Sequence, residues 1–106
     1  MITAIMVAVL VQSAAINSQR DRFISCLDSA VAAAKAQKML PEVLEPHLRQ
    51  TCAASETSFE ASLIAFDMKN KVSRKQAAAD AKLQTDDFVT TSVDQYKRAH
   101  LRGERG

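Results

Sequence analysis

The chain has 106 residues, which suits a single domain, and carries 14 basic and 12 acidic residues for a formal net charge of +2. This near-neutral balance excludes the strongly basic, clustered composition expected of a nucleic-acid-binding domain. Only two glycines, two prolines and one tyrosine occur, there is no tryptophan, and Ala, Lys and Gln are abundant. The composition therefore favours helices over strands and predicts a small all-α protein.

The N-terminus has the order of a secretory signal peptide. A nearly continuous apolar run extends from Ile2 to Val11, and small residues follow at Ser13 and Ala15. Signal peptidase accepts small side chains three residues and one residue before the bond that it cuts. We therefore predict cleavage between Ala15 and Ile16, although no Lys or Arg precedes the apolar run as it does in most signals.

Two other interpretations of the same run stay open. It is about half the length of the roughly 20 apolar residues that cross a membrane, so a retained membrane anchor is one alternative. A buried segment of the core is the second, and it is disfavoured because the run is apolar on every face. We divide the chain into a signal peptide (1–15), a helical domain (16–97) and a basic flexible tail (98–106). The mature protein is expected to be secreted, or periplasmic in a bacterium with an outer membrane.

The two cysteines predict a disulfide. Cys26 and Cys52 both follow the predicted cleavage site, and an even number of cysteines in a small exported domain is typical of such a bond. A redox or metal pair is disfavoured because Cys-x-x-Cys spacing is absent. Apolar residues recur at helical spacing around each cysteine, and the midpoint between the cysteines is Met39. Two antiparallel helices that fold back near Met39 would bring the thiols level, which predicts a disulfide-linked helical hairpin.

The two prolines belong to the second helix of this hairpin. Pro41 suits the first helical position, where its missing N–H costs nothing. Pro46 would lie beyond the first turn, so we expect it to kink the helix or to split off residues 41–45 as a separate turn. This helix should end near Asn70.

A third helix is predicted after Ser73, which can cap it together with Gln76 in a capping box. Thr85, followed by two aspartates, could cap a further helix and divide the third one. The predicted fold is thus a bundle of three helices, or of four if that division occurs.

No catalytic signature is found in the sequence, so we predict that the protein is not an enzyme. The two histidines, His47 and His100, are far apart and have no Glu-x-x-His or His-x-x-x-His partner, so no metal site is predicted. Glycine-rich phosphate loops, a haem motif and a nucleophile elbow are also absent. We predict no cofactor and no nucleic-acid partner.

Surfaces are therefore expected to carry the function. The first hypothesis is a binding or accessory module that presents an apolar helical face to a protein partner. The second is a periplasmic stress chaperone that exposes apolar surface on partial unfolding, and the third is an accessory protein anchored by an uncleaved N-terminus. The basic tail could add a weak contact with a membrane surface. The candidate interaction face consists of Phe59, Leu63, Phe66, Phe88 and Val93.

Overall fold

The structure, a computed structural model, describes the backbone of residues 2–103 and the side chains of residues 14–103. This part of the chain contains four helices and no strand, which confirms the predicted all-α class. The helices are α1 (Ile2–Ala36), α2 (Pro41–Thr51), α3 (Ala53–Lys69) and α4 (Arg74–Leu101).

The four helices pack around one core. Helix α3 makes the most extensive contacts, with α1 and with α4, and α2 packs mainly against α4 and less extensively against α1. Three phenylalanine rings, one from each long helix, meet at the centre. The ring centroids of Phe23, Phe59 and Phe88 are separated by 6.1 to 6.2 Å, at tilted or edge-on angles that suit aromatic pairs. Burial of these rings and of the neighbouring leucines supplies the main driving force for association of the helices.

The predicted hairpin is present, with its cysteines at bonding distance. The sulfur atoms of Cys26 and Cys52 are 2.10 Å apart and the Cα atoms 5.9 Å apart. Cys52 is 1% exposed and belongs to the core. The bond therefore joins α1 to the second arm of the hairpin inside the apolar interior.

Of the two outcomes expected at Pro46, a kink or a separate turn over residues 41–45, the separate turn is wrong. Pro41 begins α2 as predicted, and Pro46 lies inside α2 without interrupting it. Because Pro46 lies in the second turn and is exposed, its missing N–H removes a single hydrogen bond from the helix. The second arm is divided instead at Cys52, whose backbone leaves helical geometry with φ −105° and ψ 18°. The result is two helices, α2 and α3, where one was predicted.

Helices α1 and α3 end in the same way. Lys38 and Lys71 adopt left-handed backbone conformations, with φ 55° and 68°. In each case the following N–H donates to a carbonyl five residues earlier, from Met39 to Ala34 at 2.9 Å and from Val72 to Asp67 at 3.0 Å. This is the Schellman arrangement, which satisfies carbonyls at a helix end. Lysine takes the position that glycine usually occupies, at an energetic cost to the backbone.

Helix α4 begins as predicted and is not divided. Ser73 caps it, since its hydroxyl accepts a hydrogen bond from the Gln76 N–H at 3.2 Å. The capping box is incomplete because the Gln76 side chain donates to Asp80 instead. Thr85 does not begin a new helix: its side chain is buried, and its hydroxyl lies 3.1 Å from the Lys82 carbonyl within an unbroken α4.

The predicted tail is partly helical. Helix α4 continues to Leu101, so residues 98–101 of the predicted flexible tail are helical, and a turn at Arg102 and Gly103 follows. Basic side chains such as Arg98 suit the last turn because they lie near the negative end of the helix dipole. The remaining tail residues, 104–106, lie outside the described part of the chain.

Reduction of the disulfide should weaken the fold without abolishing its helical class. The bond closes a loop with a sequence separation of 26 residues. In the chain-entropy treatment, opening such a loop lowers the free energy of unfolding by about 3 to 4 kcal/mol. Urea denaturation of the chain with and without reductant measures this loss. The Cys26→Ser/Cys52→Ser chain is the control, and an equal loss in that chain on adding reductant would contradict the assignment.

Candidate functional site

The predicted cleavage site lies within α1, which runs without interruption from Ile2 to Ala36. The side chain of Ala15 is exposed, whereas Ile16 is half-buried and packs against the core. Among the described side chains of α1, Ile16 is the first to do so. The side chains of residues 1–13 lie outside the described part of the chain, and cleavage after Ala15 stays a prediction.

Within the described residues, no helix combines the length and apolar character that crossing a bilayer requires. This finding concerns helices alone.

Two of the five residues of the candidate interaction face predicted from the sequence are buried. Phe59 and Val93 are 1% and 6% exposed, so they are unavailable to a partner in the folded chain. Leu63 and Phe88 pack against the same core but are only half-buried, and Phe66 is half-buried too. These side chains fold inward because their burial holds the helices together. A role of the three half-buried residues in binding stays a prediction.

A different apolar surface is exposed on the opposite side of α3. We call it the α3 outer face. All of its members are exposed except Ile64, which is half-buried, and none of them is charged. They recur at helical spacing along nearly the whole helix. The α3 outer face consists of Ala53, Ala54, Thr57, Ala61, Ile64, Ala65 and Met68.

The α3 outer face combines the absence of charge with large apolar side chains. Exposed faces of helices usually carry charged residues, as α4 does with Lys82 and Asp87. The exposed uncharged side chains of α1 from Ser25 to Ala36 are all serine or alanine. The α3 outer face differs from them because Ile64 and Met68 contribute larger apolar side chains.

A shallow groove of about 360 Å³ follows the same face. Alanines form much of its floor, Ile64 and Met68 supply its larger apolar side chains, and Glu60 and Arg74 contribute charge to its lining. The Arg74 guanidinium lies 3.8 Å from the Met68 sulfur. The groove offers an apolar surface bordered by one negative and one positive charge.

The sequence does contain a signal for this face. Thr57, Ala61, Ile64 and Met68 follow one another at steps of four, three and four residues, which is a helical stripe. The signal was missed because the parallel stripe through Phe59 contains larger side chains and masks it. A helix with an apolar stripe on each side can bury only one of them within a bundle of this size.

An ionic cluster lies where α2, α3 and α4 meet. Arg49 is its centre: it contacts Glu45 at 3.2 Å, Asp86 at 3.0 Å and Glu56 at 4.0 Å. Lys82 also contacts Asp86, at 3.2 Å. Arg49 Nη1 and Asp86 Oδ1 are both buried atoms whose contact is an ion pair without hydrogen-bond alignment. The cluster links three helices by charge next to the disulfide.

A second polar link lies beside this cluster. Thr85 is fully buried, and its hydroxyl lies 2.6 Å from the Glu60 carboxylate. The same hydroxyl is 3.1 Å from the Lys82 carbonyl, so its single proton serves one of the two acceptors at a time. Glu60 thereby connects α3 to α4 between the core and the α3 outer face.

The cluster shifts the pKa values of its two acidic members in opposite directions. Burial, followed by the charge of Glu60, raises the pKa of Glu56. Burial would also raise the pKa of Asp86, but the contacts with Lys82 and Arg49 outweigh burial and lower it. Burial would lower the pKa of Arg49, but its contacts with Asp86 and Glu45 outweigh burial and raise it.

No group of side chains in the described part of the chain has the geometry of a metal site. At least three His, Cys, Asp or Glu side chains would have to converge on a metal ion, and none of those described do. A second cavity, between α1 and α4 and lined in part by Asp28, Lys35 and Tyr96, measures about 130 Å³. It is smaller than the roughly 300 to 1,000 Å³ of typical ligand sites.

Comparison with known proteins returned no relative: no family model, no curated protein and no solved structure matches the sequence or the fold. The described part of the chain is all-α, with four helices and a cysteine pair at disulfide distance.

The two acidic groups of the cluster predict that the free energy of unfolding depends on pH over two separate ranges, which we call the two limbs of the stability profile. The raised pKa of Glu56 contributes stability that is complete below its ordinary value of 4.5 and is lost as the pH rises through the raised value. The lowered pKa of Asp86 contributes stability that is complete above 3.8 and is lost as the pH falls through the lowered value. We expect stability to rise as the pH falls from neutral towards 4.5 and to decline below 3.8.

Urea denaturation between neutral pH and pH 3 tests both limbs in variants. Glu56→Gln should be more stable than the unsubstituted chain at neutral pH, and this difference should vanish in mild acid. Asp86→Asn should be less stable at neutral pH, with a difference that shrinks in strong acid. Asp94→Asn removes an exposed carboxylate outside the cluster and should leave the profile unchanged in shape. Parallel profiles for all four chains would refute the assignment of the limbs to Glu56 and Asp86.

Proposed function

We propose that the protein is a small exported accessory module that binds a partner protein through the α3 outer face. The observation that carries the proposal is an exposed surface without charge along almost the whole of α3, which includes the apolar side chains of Ile64 and Met68 and a groove of about 360 Å³. Contiguous exposed apolar surface on a small protein is typical of an interaction site. Export is supported by the N-terminal apolar run and the cysteine pair.

The shape and length of the face favour a helical partner segment. The distance from Ala53 to Met68 is about 22 Å along the helix axis, or four turns. Alanines at the centre of the face allow another helix to approach closely, while Ile64 and Met68 can fill spaces between its side chains. An amphipathic helix would lay its apolar stripe along such a groove. Its flanking residues would face Glu60 and Arg74, so charges of opposite sign at those positions would set its direction.

Photo-crosslinking in cells that export the chain tests the proposal. A photoreactive amino acid at Ala61, in the middle of the face, should yield one discrete adduct with a second protein. The same residue at Ala33 on α1 is the matched control, because both positions are exposed helical alanines. Ala61→Arg should abolish binding of the identified partner in purified form, and Ala33→Arg should retain it, with helical circular dichroism unchanged in both variants. Equal labelling from both positions, or none from Ala61, would rule out the α3 outer face.

The ionic cluster supports a second candidate, a stress chaperone that acts on partial unfolding. Loss of the Arg49 to Asp86 contact in acid would loosen the junction of α2, α3 and α4, and Phe59 and Phe88 lie in the core next to that junction. A bundle loosened in this way would offer buried apolar surface to an unfolding client.

Acid titration with an apolar fluorescent dye tests this second candidate. Dye fluorescence should rise reversibly near pH 3, over the same range in which a model client is protected from aggregation. Asp86→Asn should already bind more dye than the unsubstituted chain at higher pH, because it lacks the ion pair with Arg49. Absence of any rise in fluorescence would eliminate the chaperone.

A retained N-terminal anchor is a variant of the first proposal. The bundle from Ile16 onward would be the same, and the α3 outer face would be presented from a membrane. The intact mass of the exported protein distinguishes the two forms.

A further inference from the structure

The end of the bundle near the turn between α1 and α2 combines exposed apolar residues with positive charge. Tyr96 brings the elements of this end together: its buried hydroxyl donates to the Met39 carbonyl in the turn, with the Ala34 carbonyl 3.5 Å away. The last turns of α4 therefore lie beside the end of α1 and the start of α2. We call this region the turn end. It is separate from the α3 outer face.

Three of the large apolar side chains that the described structure leaves exposed belong to the turn end. Leu40 and Val43 are 58% and 49% exposed at the start of α2, and Leu101 is 85% exposed at the end of α4. Isolated exposed aliphatic residues are ordinary on protein surfaces. Their grouping at one end of an elongated molecule is what requires an explanation.

The same region holds an excess of positive charge. In the described part of the chain its five basic residues are all exposed, and the exposed carboxylates Glu42, Asp94 and Asp28 lie near them. Positive charge therefore exceeds negative charge among the described residues of this region. The basic residues are Lys35, Lys38, Lys97, Arg98 and Arg102.

Helix dipoles explain part of this arrangement. Helices α1 and α4 both end here, and basic side chains stabilise a helix at its C-terminal end. The dipole does not account for the exposed Leu40 and Leu101. A bilayer that contains anionic lipid would bind both the basic and the aliphatic side chains, because its headgroups attract cations and its interface accepts aliphatic groups.

We propose that the turn end docks on anionic lipid headgroups, with Leu40, Val43 and Leu101 entering the interface and the basic residues meeting phosphate. The combination of exposed aliphatic side chains with basic side chains matches the interface of an anionic bilayer, which accepts both. Nucleic acid fits less well because Tyr96, the aromatic residue of this region, is buried and cannot stack on bases.

Docking by the turn end would fix the orientation of α1 relative to the bilayer. Helix α1 is about 52 Å long at 1.5 Å per residue, and its N-terminal end is the end remote from the turn. Docking by the turn end would therefore hold the predicted signal or anchor segment away from the same bilayer. It would leave the α3 outer face lateral and accessible, so both surfaces could be occupied together.

Flotation of the full chain with lipid vesicles tests the proposal. We expect the chain to bind vesicles of phosphatidylcholine with phosphatidylglycerol much more strongly than vesicles of phosphatidylcholine alone, and to be released at high salt. Each basic residue near an anionic surface contributes about a fivefold factor in binding. Lys38→Glu should therefore weaken binding at least fivefold, and Leu40→Ser should weaken it on the order of tenfold.

Two control variants match these substitutions closely. Lys71 is also an exposed lysine in a left-handed position at a helix end. It follows α3, which does not contribute to the turn end. Leu83 is 68% exposed on α4, away from the turn end. Lys71→Glu and Leu83→Ser should retain binding, and unfolding midpoints should confirm that all four variants fold.

Several outcomes would overturn the proposal. Equal, salt-insensitive binding to both kinds of vesicle would assign binding to the N-terminal apolar run. Equal losses of vesicle binding in Lys38→Glu and Lys71→Glu would show that the net charge of the chain attracts the vesicles and that no defined site is involved. Binding to polyglutamate or DNA without binding to vesicles would exclude lipid as the occupant. Each result leaves the crosslinking test of the α3 outer face unaffected.

Discussion

The link between Cys26 and Cys52 is the constraint on which the rest of the structure depends. It joins α1 to the point where the second arm of the hairpin divides into α2 and α3, with the two Cα atoms 5.9 Å apart. This junction fixes how far α1 can slide along α3. Phe23 lies one turn before Cys26, and Phe59 lies two turns after Cys52, so the same junction sets the two rings side by side. In a domain this small, whose core alone supplies little net stability, such a covalent restraint has a large relative effect.

Charged side chains lie close to the division at Cys52. Arg49, three residues before it, contacts Asp86 on α4 as well as Glu45 in its own helix. The cluster is only partly shielded from water, so its contribution to stability depends on pH. Its position beside the aromatic core connects the ionisation of Asp86 to the packing of three helices.

Two surfaces are left over once the core and the cluster are formed. The α3 outer face is apolar and without charge, and the turn end is apolar and basic. They point in different directions, one along the side of the bundle and the other at its end. The two proposals therefore describe one arrangement, in which a bundle attached to a membrane by its end offers its side to a protein. Either surface could function without the other, since they share no residue.

Much of the fold follows from local patterns in the sequence. The spacing around Cys26 and Cys52 predicted the hairpin, Pro41 marked the start of α2, and Ser73 marked the start of α4. The predicted separate turn over residues 41–45 was wrong because a proline in the second turn removes one hydrogen bond, a loss that tertiary packing of α2 can offset. The location of the division, at Cys52, depends on contacts with α1 and α4 that no local pattern contains.

The sequence by itself determined the helical class, the cysteine pairing and the character of the N-terminal run, because each depends on residue type and near-neighbour spacing. Only the tertiary structure decided which apolar stripe of α3 is buried. Phe59 and Ile64 lie on different stripes with similar periodicity. The stripe that contains Phe59 is buried in the core because burial of its larger side chains removes more apolar area from water. The turn end likewise exists only in three dimensions, since Lys38 and Lys97 are remote in sequence until Tyr96 brings their helices together.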